Sequence, residues 1–99
     1  MKHIKSKEEF SEEITNELVI VDFYATWCGP CQMLSPILEA LEKENKTLTI
    51  VKVDVDEHPE LAKEHGVLSI PTLEFYKNSK LFDKAIGYLS KEELLEILK

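Results

Sequence analysis

Apolar positions along this chain recur with two different periods. Leu18-Val19-Ile20-Val21-Asp22-Phe23-Tyr24-Ala25 and Leu48-Thr49-Ile50-Val51-Lys52-Val53-Asp54-Val55 are rich in β-branched and aromatic residues and barely alternate, which predicts interior strands covered on both faces. Between them, Met33, Leu34, Ile37, Leu38 and Leu41 follow the spacing of an amphipathic helix that starts at Cys28 and Cys31 and runs to Lys43 or Glu44. Pro36 lies inside it, removes one intrahelical hydrogen bond and is expected to bend it. Pro59 at a first helical position predicts a short helix to His65, with Gly66 as its stop. Thr72-Leu73-Glu74-Phe75-Tyr76 alternates, Lys77-Asn78-Ser79-Lys80 reads as a turn, and Leu81 to Ile86 alternates less regularly, the pattern of an antiparallel hairpin.

Two capping boxes mark the outer helices. Ser6-x-x-Glu9 opens one with Phe10 and Ile14 inward and Asn16 closing it, and Ser90-x-x-Glu93 opens another with Leu94, Ile97 and Leu98 inward. Lys2 to Lys5 forms a short edge strand. Strand, helix, strand, helix is βαβ order with a right-handed crossover. The elements predict an α/β fold in which a mixed sheet of four or five strands is flanked by helices on both faces, with residues 1–99 as one domain.

Composition narrows the function classes. The chain is 43% hydrophobic and 31% charged, which excludes disordered, collagen-like and disulfide-scaffold proteins. A length of 99 residues is enough for one hydrophobic core without covalent staples, so the two cysteines are free for chemistry. Nineteen acidic residues against twelve basic give a formal charge of −7, which argues against non-specific binding to nucleic acid or anionic membranes. Met1 to Phe10 carries positive charge but no apolar stretch of signal-peptide length, and Leu18 to Ala25 is too short to span a bilayer. A cytoplasmic location is expected, where a paired Cys-x-x-Cys is mostly reduced and its disulfide transient.

The candidate chemistry is concentrated in Trp27-Cys28-Gly29-Pro30-Cys31, where the first long strand ends and the helix begins. Three residues of separation on a first helical turn put both sulfurs on one face, near enough for a disulfide or for holding a metal. Structural zinc takes four ligands, whereas no second cysteine pair exists and His3, His58 and His65 are scattered. A purely structural bridge gains little, because so short a loop removes little entropy from the unfolded chain. The redox reading therefore outweighs the metal and inert-cysteine readings. Asp22 is the oddest residue on local grounds. In the middle of an apolar strand its burial raises the pKa unless it is paired, the alternative being an aspartate that reaches water from a strand face.

The run from Val21 to Cys31, followed about forty residues later by Ile70-Pro71-Thr72 and then by Gly87 before the last helix, resembles the thioredoxin family over essentially the whole chain. The resemblance implies a thioredoxin fold and a protein-disulfide reductase, working by dithiol–disulfide exchange to keep cytoplasmic proteins and reductive enzymes in the thiol state. Cys28, where unpaired N–H groups and the helix dipole stabilise a thiolate, is then the nucleophile, and Cys31, covered by the helix, resolves the mixed disulfide. Asp22 is implied as base for the Cys31 proton with Lys52 close by, although on sequence alone Lys52 reads as a snorkelling surface residue. Trp27 is either core or a shield with contact area beside the thiol.

The implied docking groove comprises Trp27, Gly29, Pro30, Ile70, Pro71, Gly87 and Tyr88. Gly29 permits close approach of a partner backbone, and Pro30 fits the first turn with no N–H to lose. The family carries a cis-proline against the cysteines, so Ile70-Pro71 is expected to be cis, while a strand-initiating trans proline also fits the local sequence. Gly-Pro between the cysteines favours a reductant over an oxidant. The resemblance further implies that no cofactor is bound, the redox group being the Cys28–Cys31 disulfide, with electrons from NADPH through a flavin-containing thioredoxin reductase. Implied partners are that reductase and disulfide-containing targets such as ribonucleotide reductase and peroxiredoxins, for a monomer that binds neither nucleic acid nor membrane. Gln32, Ser69, Ser79 and Tyr88 depart from the common family pattern and bear on partner choice. A redox-switched binding subunit, using the same fold non-catalytically, is the alternative.

Overall fold

The computed structural model describes residues 1–99. In chain order they form β1 (Lys2–His3), α1 (Lys7–Glu13), β2 (Leu18–Tyr24), α2 (Gly29–Glu44), β3 (Leu48–Asp54), α3 (Pro59–Glu64), β4 (Thr72–Lys77), β5 (Lys80–Ile86) and α4 (Lys91–Leu98). The five strands make one sheet in the order β1-β3-β2-β4-β5. β1, β3 and β2 run parallel, and β4 and β5 are antiparallel to their neighbours. Unbroken apolar runs at β2 and β3 reflect this placement, since both lie inside the sheet with helices over each face.

Alternate side chains of these strands enter different cores. Val19, Val21, Phe23, Val51 and Val53 pack with Phe10 of α1 and Leu61 and Ala62 of α3. Ile20, Ile50, Leu73 and Phe75 pack with Leu34, Leu38 and Leu41 of α2 and Leu94 of α4. Helix α2 runs unbroken through Pro36, and its buried stripe is Cys31, Leu34, Leu38 and Leu41. Met33 departs from expectation: it is 63% exposed. A helix on a flat sheet buries a stripe centred on one line, and Met33 lies a hundred degrees round from Leu34.

The helix termini differ in detail from the sequence reading. At α4 both halves of the capping box form, with Ser90 Oγ accepting the Glu93 N–H and the Glu93 side chain accepting the Ser90 N–H. At α1 only the first half does. Ser6 Oγ accepts the Glu9 N–H at 3.0 Å, but the Glu9 carboxylate turns one residue further back and accepts the Lys5 N–H at 3.2 Å. The same helix ends early, with Ile14 as its C-cap, while the Asn16 side chain returns to the Glu13 carbonyl at 2.8 Å.

The β4–β5 hairpin turns on two residues, Asn78 at φ 50° and Ser79 at φ 71°. Positive φ at both positions gives the twist that matches paired strands. Asparagine adopts this conformation readily and serine does not, so Ser79 holds local strain. Ser79→Gly is expected to raise stability by about 0.5–1 kcal/mol, the relief of left-handed strain less the extra freedom of glycine in the unfolded chain. Urea denaturation of the two proteins checks this, and an unchanged or lower midpoint for the variant rejects it.

Candidate active site

The parallel arrangement delivers the cysteines to the C-terminal end of β2, where open α/β sheets place their sites. The chain leaves β2 at Tyr24, and Cys28 becomes the N-cap of α2 in an extended conformation. Its sulfur accepts the Cys31 N–H at 3.3 Å, so a first-turn amide that no carbonyl can reach is satisfied by the sulfur itself. Cys28 and Cys31 are joined as a disulfide with their Cα atoms 5.2 Å apart, and both are buried. Pro30 sits in the first turn, where its missing N–H costs nothing. A side chain at Gly29 would meet nothing within 4 Å, so this position is open rather than packed from within.

A second segment closes over the sulfurs. The Ile70-Pro71 bond is cis, and the Ile70 carbonyl oxygen lies 3.9 Å from Cys28 Sγ. Pro71 is buried, and its carbonyl accepts the Gly87 N–H at 2.8 Å, which joins the end of β5 to the same corner. Gly87 has φ +93°, a conformation that L side chains rarely adopt, so the backbone itself requires glycine there.

Trp27 is not core. It is 70% exposed, and its indole Nε1 donates to Asp56 Oδ2 at 2.8 Å, which pins the ring at the mouth of the site. With Val55, Ala62, Val67, Leu68 and Ile70 it lines a shallow apolar groove of about 210 Å³. Of the residues expected in a docking groove only Trp27 and Ile70 line it; Gly29, Pro30, Pro71, Gly87 and Tyr88 do not, although Tyr88 is exposed. Leu68, 98% exposed, is a lining residue that the sequence reading passed over. The available signal was an apolar residue inside a loop directly ahead of Ser69-Ile70-Pro71.

Beneath the helix, Asp22 and Lys52 settle the question left open between surface and interior. They face each other across β2 and β3, are both buried, and form an ion pair with Lys52 Nζ donating to Asp22 Oδ2 at 2.8 Å. Lys52 does not snorkel. Asp22 Oδ1 takes no hydrogen bond from any protein group. Burial pushes the Asp22 carboxyl above its ordinary value, and the charge and hydrogen bond of Lys52 pull back only part of that rise. Lys52 and Cys31 share a cleft of about 260 Å³ on this side of the site, whose wall includes His3, Tyr24, Gln32 and Ser35.

Each histidine has a polar partner, and only His3 shares a cleft with a cysteine, Cys31. His58 Nε2 lies 2.9 Å from the Ile4 carbonyl, His65 Nδ1 lies 2.9 Å from Glu74 Oε1, and His3 Nδ1 lies 3.4 Å from the Tyr24 hydroxyl. No group of three His, Cys, Asp or Glu side chains is placed to hold a metal ion. No helix is long and apolar enough to cross a membrane.

A disulfide-forming pair at a helix N-terminus, with one sulfur against the carbonyl of an X-Pro corner and an apolar groove beside it, defines a thiol–disulfide oxidoreductase. Comparison with known proteins agrees. The thioredoxin family profile matches residues 1–99. The thioredoxin of Mycoplasmoides gallisepticum is 49% identical over 100 residues, covering all of both chains. Among solved structures, Plasmodium falciparum thioredoxin superposes with a TM-score of 0.89 at 38% identity, covering 99% of this chain and 96% of that one. The oxidised form of mitochondrial thioredoxin 3 from Saccharomyces cerevisiae gives 0.88 at 38% identity, covering 97% and 91%. The chain belongs to the thioredoxin family. It carries out dithiol–disulfide exchange and reduces protein disulfides, with the cysteine pair as its redox group.

Two buried carboxylates give stability opposite dependences on pH. Asp22 holds its proton more tightly folded than unfolded, so its contribution is complete below the unfolded value and is lost as pH rises through the raised folded one. Glu74, on the other sheet face, is also pushed up by burial, but hydrogen bonds from His65 and Tyr76 and the charges of His65 and Lys84 outweigh this and hold it below the usual range. Its contribution is present above the unfolded value and lost as pH falls through the lower folded one. Asp22→Asn is therefore expected to remove the decline of stability toward alkaline pH and to be more stable than the parent at pH above the Asp22 transition. Denaturation midpoints across the pH range check this; a variant with the parental alkaline slope rules out Asp22 as its source.

Proposed function

We propose that Cys28 is the attacking thiol of this reductase and Cys31 the resolving one. The Cys28 thiolate attacks one sulfur of a target disulfide, a mixed disulfide forms, and the other target sulfur leaves as a thiolate. Cys31 then gives up its proton and attacks Cys28 Sγ, which releases the second target thiol and closes the Cys28–Cys31 disulfide. Two electrons have moved from the cysteine pair to the target. The observation that carries this reading is the position of Cys28 as N-cap, where the sulfur faces the Cys31 N–H and the positive end of α2, the environment that favours a thiolate.

Asp22 serves in this reading as the base for the Cys31 proton, with Oδ1 as the receiving atom because Oδ2 is occupied by Lys52. Lys52 keeps the carboxylate ionisable in an apolar layer. Trp27, Gly29, Pro30, Ile70, Pro71, Gly87 and Tyr88 form the docking rim for the target chain. Electrons return from NADPH through a flavin-containing thioredoxin reductase, and the targets include ribonucleotide reductase and peroxiredoxins. The protein works in the cytoplasm as a single-domain monomer. The acidic surface, −7 overall, and the family relationship support this reading.

Insulin reduction driven by dithiothreitol, together with trapping on non-reducing gels, tests the assignment. Cys28→Ser is expected to abolish turnover and trap almost no target, whereas Cys31→Ser accumulates the mixed disulfide because attack survives and resolution does not. Equal trapping by both variants would overturn the roles. Asp22→Asn is expected to slow resolution by about tenfold or more at neutral pH and to leave the first attack largely intact, as single-turnover kinetics will read.

A further inference from the structure

The Lys52 ammonium touches more than Asp22. Its Nζ stands 4.3 Å from the centroid of the Tyr24 ring, within reach of a cation–π contact. Tyr24 is in turn braced from the sheet edge by His3: the two rings meet almost perpendicularly, 79° between planes and 6.3 Å between centroids, with the hydroxyl 3.4 Å from Nδ1. Strand register produces the assembly. His3 and Asp22 are both paired with Lys52, from β1 and β2 respectively, so the three side chains leave the sheet on one face, and Tyr24 follows Asp22 on that face by one period of the strand. Short β1 otherwise contributes little to the sheet, and His3 gives it a place in the active-site wall.

We propose that Tyr24, braced by His3, is a positioning residue for the proton step, its ring face holding the Lys52 ammonium on Asp22 and thereby setting how readily Asp22 ionises. A lysine ends in a flexible four-carbon stem with three donors, and only one of them is fixed by Asp22 Oδ2. Without the ring, Nζ is free to turn into the cleft it shares with Cys31 and toward water. The opposing pull of Lys52 on a carboxyl that burial has raised then weakens. The proposal rests on the reading of Asp22 as base, but the contact it describes acts on Asp22 whether or not that reading holds.

The charged surroundings leave Tyr24 itself uninvolved in titration near neutrality. The cleft at Lys52 also brings together His3 from β1, Tyr24 from β2, Cys31 from α2 and Met1, whose amino group is paired with Glu42, while β4 presents the uncharged Leu73 opposite Asp22. Burial, then the charges of Asp54, Glu57 and Asp22, raise the Tyr24 phenol above its ordinary value. It therefore remains a neutral ring throughout the range in which resolution is measured.

The test compares Tyr24→Leu, Tyr24→Phe and His3→Ala in the full chain. Carbon-detected NMR titration of the Asp22 carboxyl is recorded in each, with single-turnover resolution rates across about pH 5 to 9. Tyr24→Leu is expected to move the Asp22 midpoint up by about one pH unit, a tenfold weaker hold on the charged form. Tyr24→Phe, which keeps the ring face and its edge contact with His3 but loses the hydroxyl, shifts it by no more than His3→Ala does. His3→Ala, an exposed edge position that the core does not depend on, shifts it in the same direction as Tyr24→Leu and by less. Parental Asp22 midpoints in both Tyr24→Leu and His3→Ala overturn the proposal, and an equal shift in Tyr24→Phe and Tyr24→Leu overturns the role of the ring face. His3→Ala alone decides the bracing if Tyr24→Leu does not fold, since an unmoved midpoint there removes His3 from the assembly. The base reading fails separately, if Asp22→Asn resolves mixed disulfides at the parental rate while the NMR midpoints still shift as described.

Discussion

Seven consecutive residue pairs hold β2 against β3, from Leu18 opposite Leu48 to Tyr24 opposite Asp54, and the redox end of the molecule depends on that register. A slip of one residue would exchange the two faces of a strand. Asp22 would enter the layer of Phe23 and Val53 without a cation, and Phe23 would stand under the redox helix. The register is secured by hydrophobic residues on both faces, since Val19, Val21 and Phe23 belong to one core and Ile20 to the other. A buried ion pair at a single matched position is affordable because the surrounding pairs fix it there.

Each side of the sheet carries one buried carboxylate, and the two are solved differently. Asp22 has one cation and one oxygen without a protein partner, an arrangement that leaves room for a proton. Glu74 is saturated: His65 Nδ1 lies within 3.1 Å of both its oxygens, the Tyr76 hydroxyl donates at 2.7 Å, and Lys84 stands 3.8 Å away. Hydrogen bonds to the charged form keep a carboxylate ionised, whereas desolvation with a single counter-charge leaves it poised. The incompletely satisfied group is on the cysteine side.

The Glu74 cluster also bears on the site from behind. Lys84 Nζ donates to the His65 carbonyl at 2.7 Å, and His65 is the residue from which the chain leaves α3 for the loop carrying Leu68 and Ile70. At its far end the loop is tied by the Thr72 hydroxyl to the Ser69 carbonyl at 2.6 Å. A loop fixed at both ends keeps the Ile70 carbonyl beside Cys28 while its apolar tip stays exposed. Trp27, held by Asp56, bounds the groove from the other side.

Local pattern determined a good deal of this protein. Strands β2 and β3, helix α2, the hairpin and the α4 cap were legible because each depends on the spacing of residues close in the chain, and Cys28 and Cys31 because a helix start positions a three-residue pair without outside help. The cis Ile70-Pro71 bond and the roles proposed for Asp22 and Lys52 came from likeness to a family rather than from anything local. Tertiary structure alone decided that Lys52 is buried, that Met33 faces solvent, that Leu68 lines the groove, and that His3 reaches Tyr24 and His65 reaches Glu74. A strand's period says which side chains share a face but not which neighbouring strand lies beside it, and a helix's period gives the width of its apolar stripe but not the line along which it docks. These contacts join residues on different elements, and only the packing of the complete sheet brings them within bonding distance.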